Sequence, residues 1–292
     1  MKLDRKETVV GFIGVGVMGK SMALNLLNDG YDIHVYTRTK EKAQELVEQG
    51  CTWQADSAAI AAAADVVITM IGTPQDVEAV YLAEGGLLAT GRAGTMVIDM
   101  TTSSPQLAGK IYNQAKERGI AALDAPVSGG DIGARQGTLS IMVGGDREAF
   151  EQALPLFQVM GENIVYQGTA GSGQHCKMAN QIAVASTMVG VCESIRYAEK
   201  AGLDPAVVLQ SISAGAASSW ALSNLAPRIL KGDFDPGFFI RHFVKDMNIA
   251  LSSCADIGLQ ARGLELVKGL YDRLVEDGDE YLGTQALYKL YK

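Results

Sequence analysis

The chain has 292 residues, 48% of them apolar, and its 25 basic and 33 acidic side chains leave a formal net charge of −8. That length supports one large or two modest domains with a substantial core, and the acidic balance argues against nucleic acid or an anionic membrane as the main partner. No apolar run is long and charge-free enough to span a bilayer, and residues 1–7 are polar with no signal-peptide segment behind them, so a cytoplasmic protein is expected.

The first element is a short β-branched run, Val9–Ile13, read as a buried strand. Glycines follow, then helical periodicity over Met18–Leu27, stopped by Gly30. Ile33–Tyr36 reads as the second strand and Lys40–Glu48 as a helix ending at Gly50. Val66–Ile71 and Met96–Asp99 are further strands, with helices at Gln75–Tyr81 and Pro105–Arg118. Ala121–Asp124, Leu139–Val143 and Ile164–Tyr166 complete the strands. Strands alternating with helices imply an α/β domain with a doubly wound, mostly parallel sheet of Rossmann type.

Near residue 170 the pattern changes. From Gln174 to Ala201 there is no strand signal and no proline, which gives roughly 40 Å of helix. Helical patterns continue at Pro205–Ser213, Ser219–Leu230, Val244–Asp256 and Arg262–Glu276. We expect residues 1–170 to form a dinucleotide-binding domain and residues 171–292 an all-α domain. The long apolar stripes of the second part point to a homodimer or homotetramer. The cysteines Cys51, Cys176, Cys192 and Cys254 form no CxxC pair, and the three histidines have no H-x-x-x-H spacing. Free thiols and no metal site are therefore expected.

Gly14-Val15-Gly16-Val17-Met18-Gly19 directly follows strand one and opens helix one. The glycines permit a tight turn, approach of backbone to a pyrophosphate, and close helix–strand packing. The N–H groups of Val17 and Met18 then lie at a helix N-terminus, where phosphates bind. Strand two ends in Tyr36-Thr37-Arg38, and Thr37 holds the place where an NAD site usually carries Asp or Glu. Arg38 can pair with a 2′-phosphate through charge-assisted bonds. NADP is the expected cofactor, with NAD as the alternative.

Gly173, Lys177 and Asn180 recur at helical spacing and share one helix face. A cation and an amide beside glycines have the character of a proton donor and its positioning partner. Together the segments resemble the β-hydroxyacid dehydrogenase family, the group of 3-hydroxyisobutyrate dehydrogenase and tartronate semialdehyde reductase. The resemblance covers essentially the whole chain. It rests on residues 11–19, Asp99-Met100-Thr101-Thr102-Ser103-Ser104-Pro105, Asp124-Ala125-Pro126-Val127-Ser128-Gly129-Gly130, the Lys177 segment and Lys245-Asp246. The longer 6-phosphogluconate dehydrogenases share these motifs, and the chain's length argues against their activity.

The resemblance implies an oxidoreductase moving a hydride between NADP(H) and a short β-hydroxy acid or semialdehyde. Lys177 would be the catalytic acid/base and Asn180 would orient the substrate. Ser128, Gly129 and Gly130 would hold a substrate carboxylate. Thr102 would lie by the nicotinamide ribose, Met70 and Ile71 along the cofactor, and Lys245 would close the site on cofactor or substrate. Around Ile71-Gly72 and Asp76 the chain departs from some relatives, which carry Leu-Pro and Asn there. Two other readings are an imine reductase, a fold relative that usually lacks the lysine, and a dinucleotide-binding protein without turnover, which a missing Lys177 or a broken glycine turn would favour.

Overall fold

A computed structural model describes residues 3–292. The chain forms two compact units, one through Lys177 and the other from Met178 to Lys292. The first unit contains β1 (Val9–Ile13), α1 (Val17–Asn28), β2 (Asp32–Tyr36), α2 (Gln44–Glu48), β3 (Thr52–Trp53), α3 (Ser57–Ala63), β4 (Val66–Thr69), α4 (Pro74–Leu82), α5 (Leu87–Thr90) and β5 (Met96–Asp99). It continues with α6 (Pro105–Lys116), β6 (Ala121–Asp124), β7 (Val127–Ser128), α7 (Gly130–Gln136), β8 (Leu139–Gly145), α8 (Arg147–Met160) and β9 (Gly161–Gly168). The border between the units falls inside α9 (Ser172–Lys200).

The sheet runs β3-β2-β1-β4-β5-β6-β8-β7, and β9 pairs with β8. The pairs from β3 through β6 are parallel, whereas β8 runs antiparallel to β6 and β7. All four residues of β4 and of β5 are buried. Successive residues feed opposite faces of the sheet. Val66, Ile68, Met96 and Ile98 enter one core cluster, while Val67 and Val97 enter another with Ile60, Leu107 and Ile111. Helices cover both faces, so these strands read as unbroken apolar runs rather than alternating ones. Strand order reverses between β1 and β4, and in such sheets ligands bind beyond the carboxyl ends of the strands at that point.

The second unit continues α9 and adds α10 (Pro205–Ile212), α11 (Trp220–Asn224), α12 (Ala226–Leu230), α13 (Ile240–Asp256), α14 (Arg262–Glu276) and a closing 3₁₀ segment, Thr284–Tyr291. Its core gathers Met188, Cys192 and Ile195 of α9 with Phe243, Met247, Tyr271, Leu274 and Tyr288. The Tyr271 hydroxyl donates to the Thr284 carbonyl at 2.7 Å, which satisfies a polar group buried in that core.

Several elements depart from the sequence reading. Strand β4 stops at Thr69, and the N–H of Ile71 bonds to Thr101 Oγ1 at 3.0 Å instead of continuing the ladder. The helix expected over Lys40–Glu48 begins as a 3₁₀ turn, Lys40–Ala43. The single helix expected over Ser219–Leu230 is two, because Pro227 has no N–H to continue the ladder.

Candidate active site

The glycine turn joins β1 to α1. Gly14 has φ +96°, and a Cβ there would stand 2.3 Å from the Met70 carbonyl oxygen. A Cβ on Gly19 would stand 2.0 Å from the carbonyl oxygen of Gly14. The fold itself demands both glycines. Gly16 is different: its φ is −72°, which any residue adopts, and a Cβ there would meet nothing within 4 Å. Nothing in the chain requires that position to be bare, whereas the close approach of a phosphate would. Gly16 caps α1 without a side chain, and the first turn carries no acidic residue. The unpaired N–H groups and the positive end of the helix dipole therefore suit an anion. Gly14, Gly16, Val17, Met18 and Gly19 fit a nicotinamide dinucleotide, whose diphosphate they would hold.

Neighbouring loops are tied to this turn. The N–H of Gly14 bonds to Tyr36 O at 3.0 Å, which brings up the end of β2 with Thr37 and Arg38. The N–H of Met70 bonds to Ile13 O at 2.9 Å, and the Ile71 side chain also meets the space beside Gly14. Arg38 is 80% exposed, and its Nη1 donates to Asp76 Oδ1 at 3.0 Å. Asp76 Oδ2 accepts from the N–H and the hydroxyl of Thr73, closing a capping box on α4. The sequence reading missed this pair because its members are 38 residues apart. The departure from relatives at Asp76 was the only signal.

At the ends of β5 and β6 the chain packs two carboxylates inside the unit. Asp99 Oδ1 accepts from Thr69 Oγ1 at 2.9 Å and from the Thr101 N–H at 3.0 Å. Asp124 takes the N–H of Gly171 at 2.7 Å on Oδ1 and that of Gln174 at 2.8 Å on Oδ2. Burial pushes each carboxyl from the usual 3.8 up to about 6, against these bonds, which favour the charged form. Neither acid was a candidate in the sequence reading, although each closes a strand.

Lys177 is 6% exposed, and its Nζ donates to the Val127 carbonyl at 2.8 Å. Val127 and Ser128 form β7, which pairs with β8 through Val127 opposite Ile141 and Ser128 opposite Ser140. Gly129 follows at φ +137° as the N-cap of α7, and Gly130 opens that helix. The lysine thus meets the residue before the Ser128-Gly129-Gly130 turn. Thr102 stands between Thr101 and Ser103, both held by buried bonds. Cys176, next to Lys177, has its thiol raised by burial, which makes it a poorer nucleophile.

Asn180 and Lys245 belong to the second unit. Asn180 Nδ2 donates to Gln181 Oε1 at 2.7 Å, and Gln181 Nε2 donates to Asp246 Oδ2 at 2.7 Å. Lys245 Nζ lies 3.0 Å from the other oxygen of Asp246, which is 2% exposed. That contact is ionic rather than an aligned hydrogen bond. Among the described residues no cluster of His, Cys, Asp or Glu could hold a metal ion, and no helix is long and apolar enough to cross a membrane.

Comparison with known proteins gives this geometry a lineage. Residues 9–168 match the family described as the NAD binding domain of 6-phosphogluconate dehydrogenase. Residues 171–291 match the NAD-binding domain of NADP-dependent 3-hydroxyisobutyrate dehydrogenase. An uncharacterized oxidoreductase of Bacillus subtilis, YkwC, is 57% identical over 98% of this chain and 99% of its own. The 2-hydroxy-3-oxopropionate reductase of Escherichia coli is 40% identical over 95% of each chain. A solved structure of Mycobacterium tuberculosis 3-hydroxyisobutyrate dehydrogenase with L-serine superposes with a TM-score of 0.90 at 30% identity. That match covers 98% of this chain and 99% of the other. The chain belongs to the 3-hydroxyisobutyrate dehydrogenase family of NAD(P)-dependent oxidoreductases.

Proposed function

We propose that this chain interconverts a short 3-hydroxy acid and its 3-oxo acid with NADP(H), using Lys177 as general acid and base. One observation carries the reading. The buried Nζ of Lys177 donates to the Val127 carbonyl at 2.8 Å, one residue before the Ser128-Gly129-Gly130 turn. A proton donor and a carboxylate-binding turn then serve the same small molecule. The relatives support the substrate class. The Escherichia coli relative is named for 2-hydroxy-3-oxopropionate, and the Mycobacterium tuberculosis neighbour for 3-hydroxyisobutyrate with L-serine present. These molecules share a propanoate backbone with an alcohol or aldehyde on C3 and differ in the group on C2.

Bound nicotinamide supplies or accepts the hydride. The chain's own residues supply the rest. Ser128 and the N–H groups of Gly129 and Gly130 bind the carboxylate. In reduction Lys177 meets the charge developing on the carbonyl oxygen and donates its proton there. In oxidation a neutral Lys177 removes the hydroxyl proton. Asn180 orients the substrate and Lys245 reaches cofactor or substrate, their side chains held in the second unit through Gln181 and Asp246. Thr102 holds the nicotinamide ribose, and Met70 and Ile71 line the cofactor.

Arg38 favours the 2′-phosphate of NADP, and its bond to Asp76 tempers that preference. Residues 1–170 are proposed as the dinucleotide domain and residues 171–292 as the substrate and dimerisation domain. A dimer or tetramer is supported by the exposed apolar side chains of Val207, Trp220, Ile257 and Leu266. Four unpaired cysteines support a reducing, cytoplasmic setting.

The test is loss of NADPH absorbance with tartronate semialdehyde, glyoxylate and succinic semialdehyde against a neutral three-carbon aldehyde. Turnover of an acid aldehyde well above that of the neutral one is expected. No turnover of any acid aldehyde would refute the reading.

A further inference from the structure

The first turn of α9 is seated unusually tightly. A Cβ on Gly173 would lie 2.4 Å from Met142 O and 2.6 Å from Asp124 O, so the helix start presses on the backbones of β6 and β8. Asp124, at the end of β6, caps that start from outside through the N–H groups of Gly171 and Gln174. Gln174 then returns the contact with its side chain. It is wholly buried, and both ends of its amide are engaged. Oε1 accepts from the Ser103 N–H at 2.9 Å, and Nε2 donates to the Thr101 carbonyl at 2.8 Å. One amide therefore grips both residues flanking Thr102. Lys177 follows Gln174 by three positions, about one helical turn, which places both over the same part of α9.

We propose that Gln174 is a positioning residue that sets Lys177 against the Thr101–Ser103 segment. This rests on the reading of Lys177 as acid/base and of Thr102 as a cofactor contact. The physical case lies in the geometry of a primary amide. Only a side chain with an acceptor and a donor on one planar group, at this reach, can satisfy a backbone N–H and a backbone carbonyl two residues apart. An apolar replacement leaves both groups buried and unpaired, which the segment relieves by moving. Asparagine is one methylene short. Glutamate keeps the acceptor for Ser103 and loses the donor for Thr101. Small displacements matter because proton and hydride transfer both need near-attack distances, and an error of about 1 Å can cost about a hundredfold in rate. A purely structural role for Gln174 would lower stability and leave the folded enzyme's chemistry unchanged.

The experiment compares Gln174→Met, Gln174→Glu and Lys177→Ala with wild type. Folding is checked by circular dichroism, NADPH affinity by fluorescence titration, and turnover with tartronate semialdehyde in water and in deuterium oxide. For Gln174→Met we expect NADPH affinity and the Michaelis constant within about threefold of wild type. Its kcat should fall about ten- to hundredfold, with a larger solvent isotope effect because proton donation has become slow. Gln174→Glu should fall between Gln174→Met and wild type. A folded Gln174→Met with wild-type kcat, or with a lowered kcat and an unchanged isotope effect, would overturn the proposal. If Gln174→Met does not fold, a wild-type kcat or an unchanged isotope effect in Gln174→Glu overturns it equally. Lys177→Ala separates the two layers. Wild-type turnover there removes the acid/base reading and the positioning proposal with it, whereas a dead Lys177→Ala beside an unaffected Gln174→Met removes only the latter.

Discussion

Each proposed role at the scale of single residues comes down to which atoms a side chain already engages. Lys177 is almost fully buried, and its Nζ donates to the Val127 carbonyl. Its replacement by alanine should lower kcat by roughly 10²–10⁴-fold, the usual share of general acid–base catalysis. NADPH affinity in a fluorescence titration should stay within a few fold. Ser128→Ala removes one donor to an anionic group. Charged hydrogen bonds contribute about 1.5–3 kcal/mol, so the Michaelis constant for an acid aldehyde should rise about ten- to hundredfold while that for a neutral aldehyde barely moves. Arg38 is held by Asp76, and a 2′-phosphate competes for the same guanidinium. Exposed ion pairs contribute at most about 1 kcal/mol, so Asp76→Asn should tighten NADPH by about two- to fivefold and leave NADH unchanged. An equal gain for both cofactors would mean that Asp76 acts on the loop and not on the phosphate.

At the scale of elements, Gly129 shows where a binding role and a folding role coincide. It is the N-cap of α7 at φ +137°, and a Cβ there would press within 3.1 Å of Leu139 Cδ2. Strained positions of this kind cost about 1–3 kcal/mol in a non-glycine residue. Gly129→Ala should therefore lower the thermal midpoint by several degrees even without substrate, which makes Ser128 the cleaner probe of the turn. The same stretch explains what the sequence could not tell. Gly129, Gly130 and Gly133 suppress the helical signal of α7, and Pro155 suppresses that of α8. Strands β3 and β7 are two residues each, too short for any periodicity. By contrast β1, β5 and α14 match their sequence ranges to the residue, because buried β-branched runs and a clean amphipathic stripe state their own limits. The glycine turn was legible through its place between strand and helix. The contacts of Arg38 with Asp76 and of Gln174 with the Thr102 segment were not, since they join positions 38 and more than 70 residues apart.

Across the whole molecule, the two buried acids tie stability to pH. A carboxyl raised from 3.8 to about 6 binds its proton more tightly in the folded chain than in the unfolded one. Its contribution is fully present below pH 3.8 and is lost as pH rises through about 6. Asp99→Asn keeps an acceptor for Thr69 and Thr101 and cannot titrate. The stability of wild type relative to Asp99→Asn should therefore increase by about 1 kcal/mol as pH falls from 7 to 5, read from urea denaturation at each pH. A constant difference would mean that Asp99 titrates in its ordinary range. The position of the border inside α9 has a practical consequence for anyone recombining halves of related enzymes. A junction placed in the loop before Ser172 would hand Asp124, Thr101 and Ser103 to a foreign helix start. The inherited carboxylate and amide partners would then have to be matched by chance. A junction after Lys177 transfers the seat, the clamp and the lysine as one heritable block, so chimeras cut there should keep the placement of Lys177 while exchanging the rest of the helical half, Asn180 and Lys245 included.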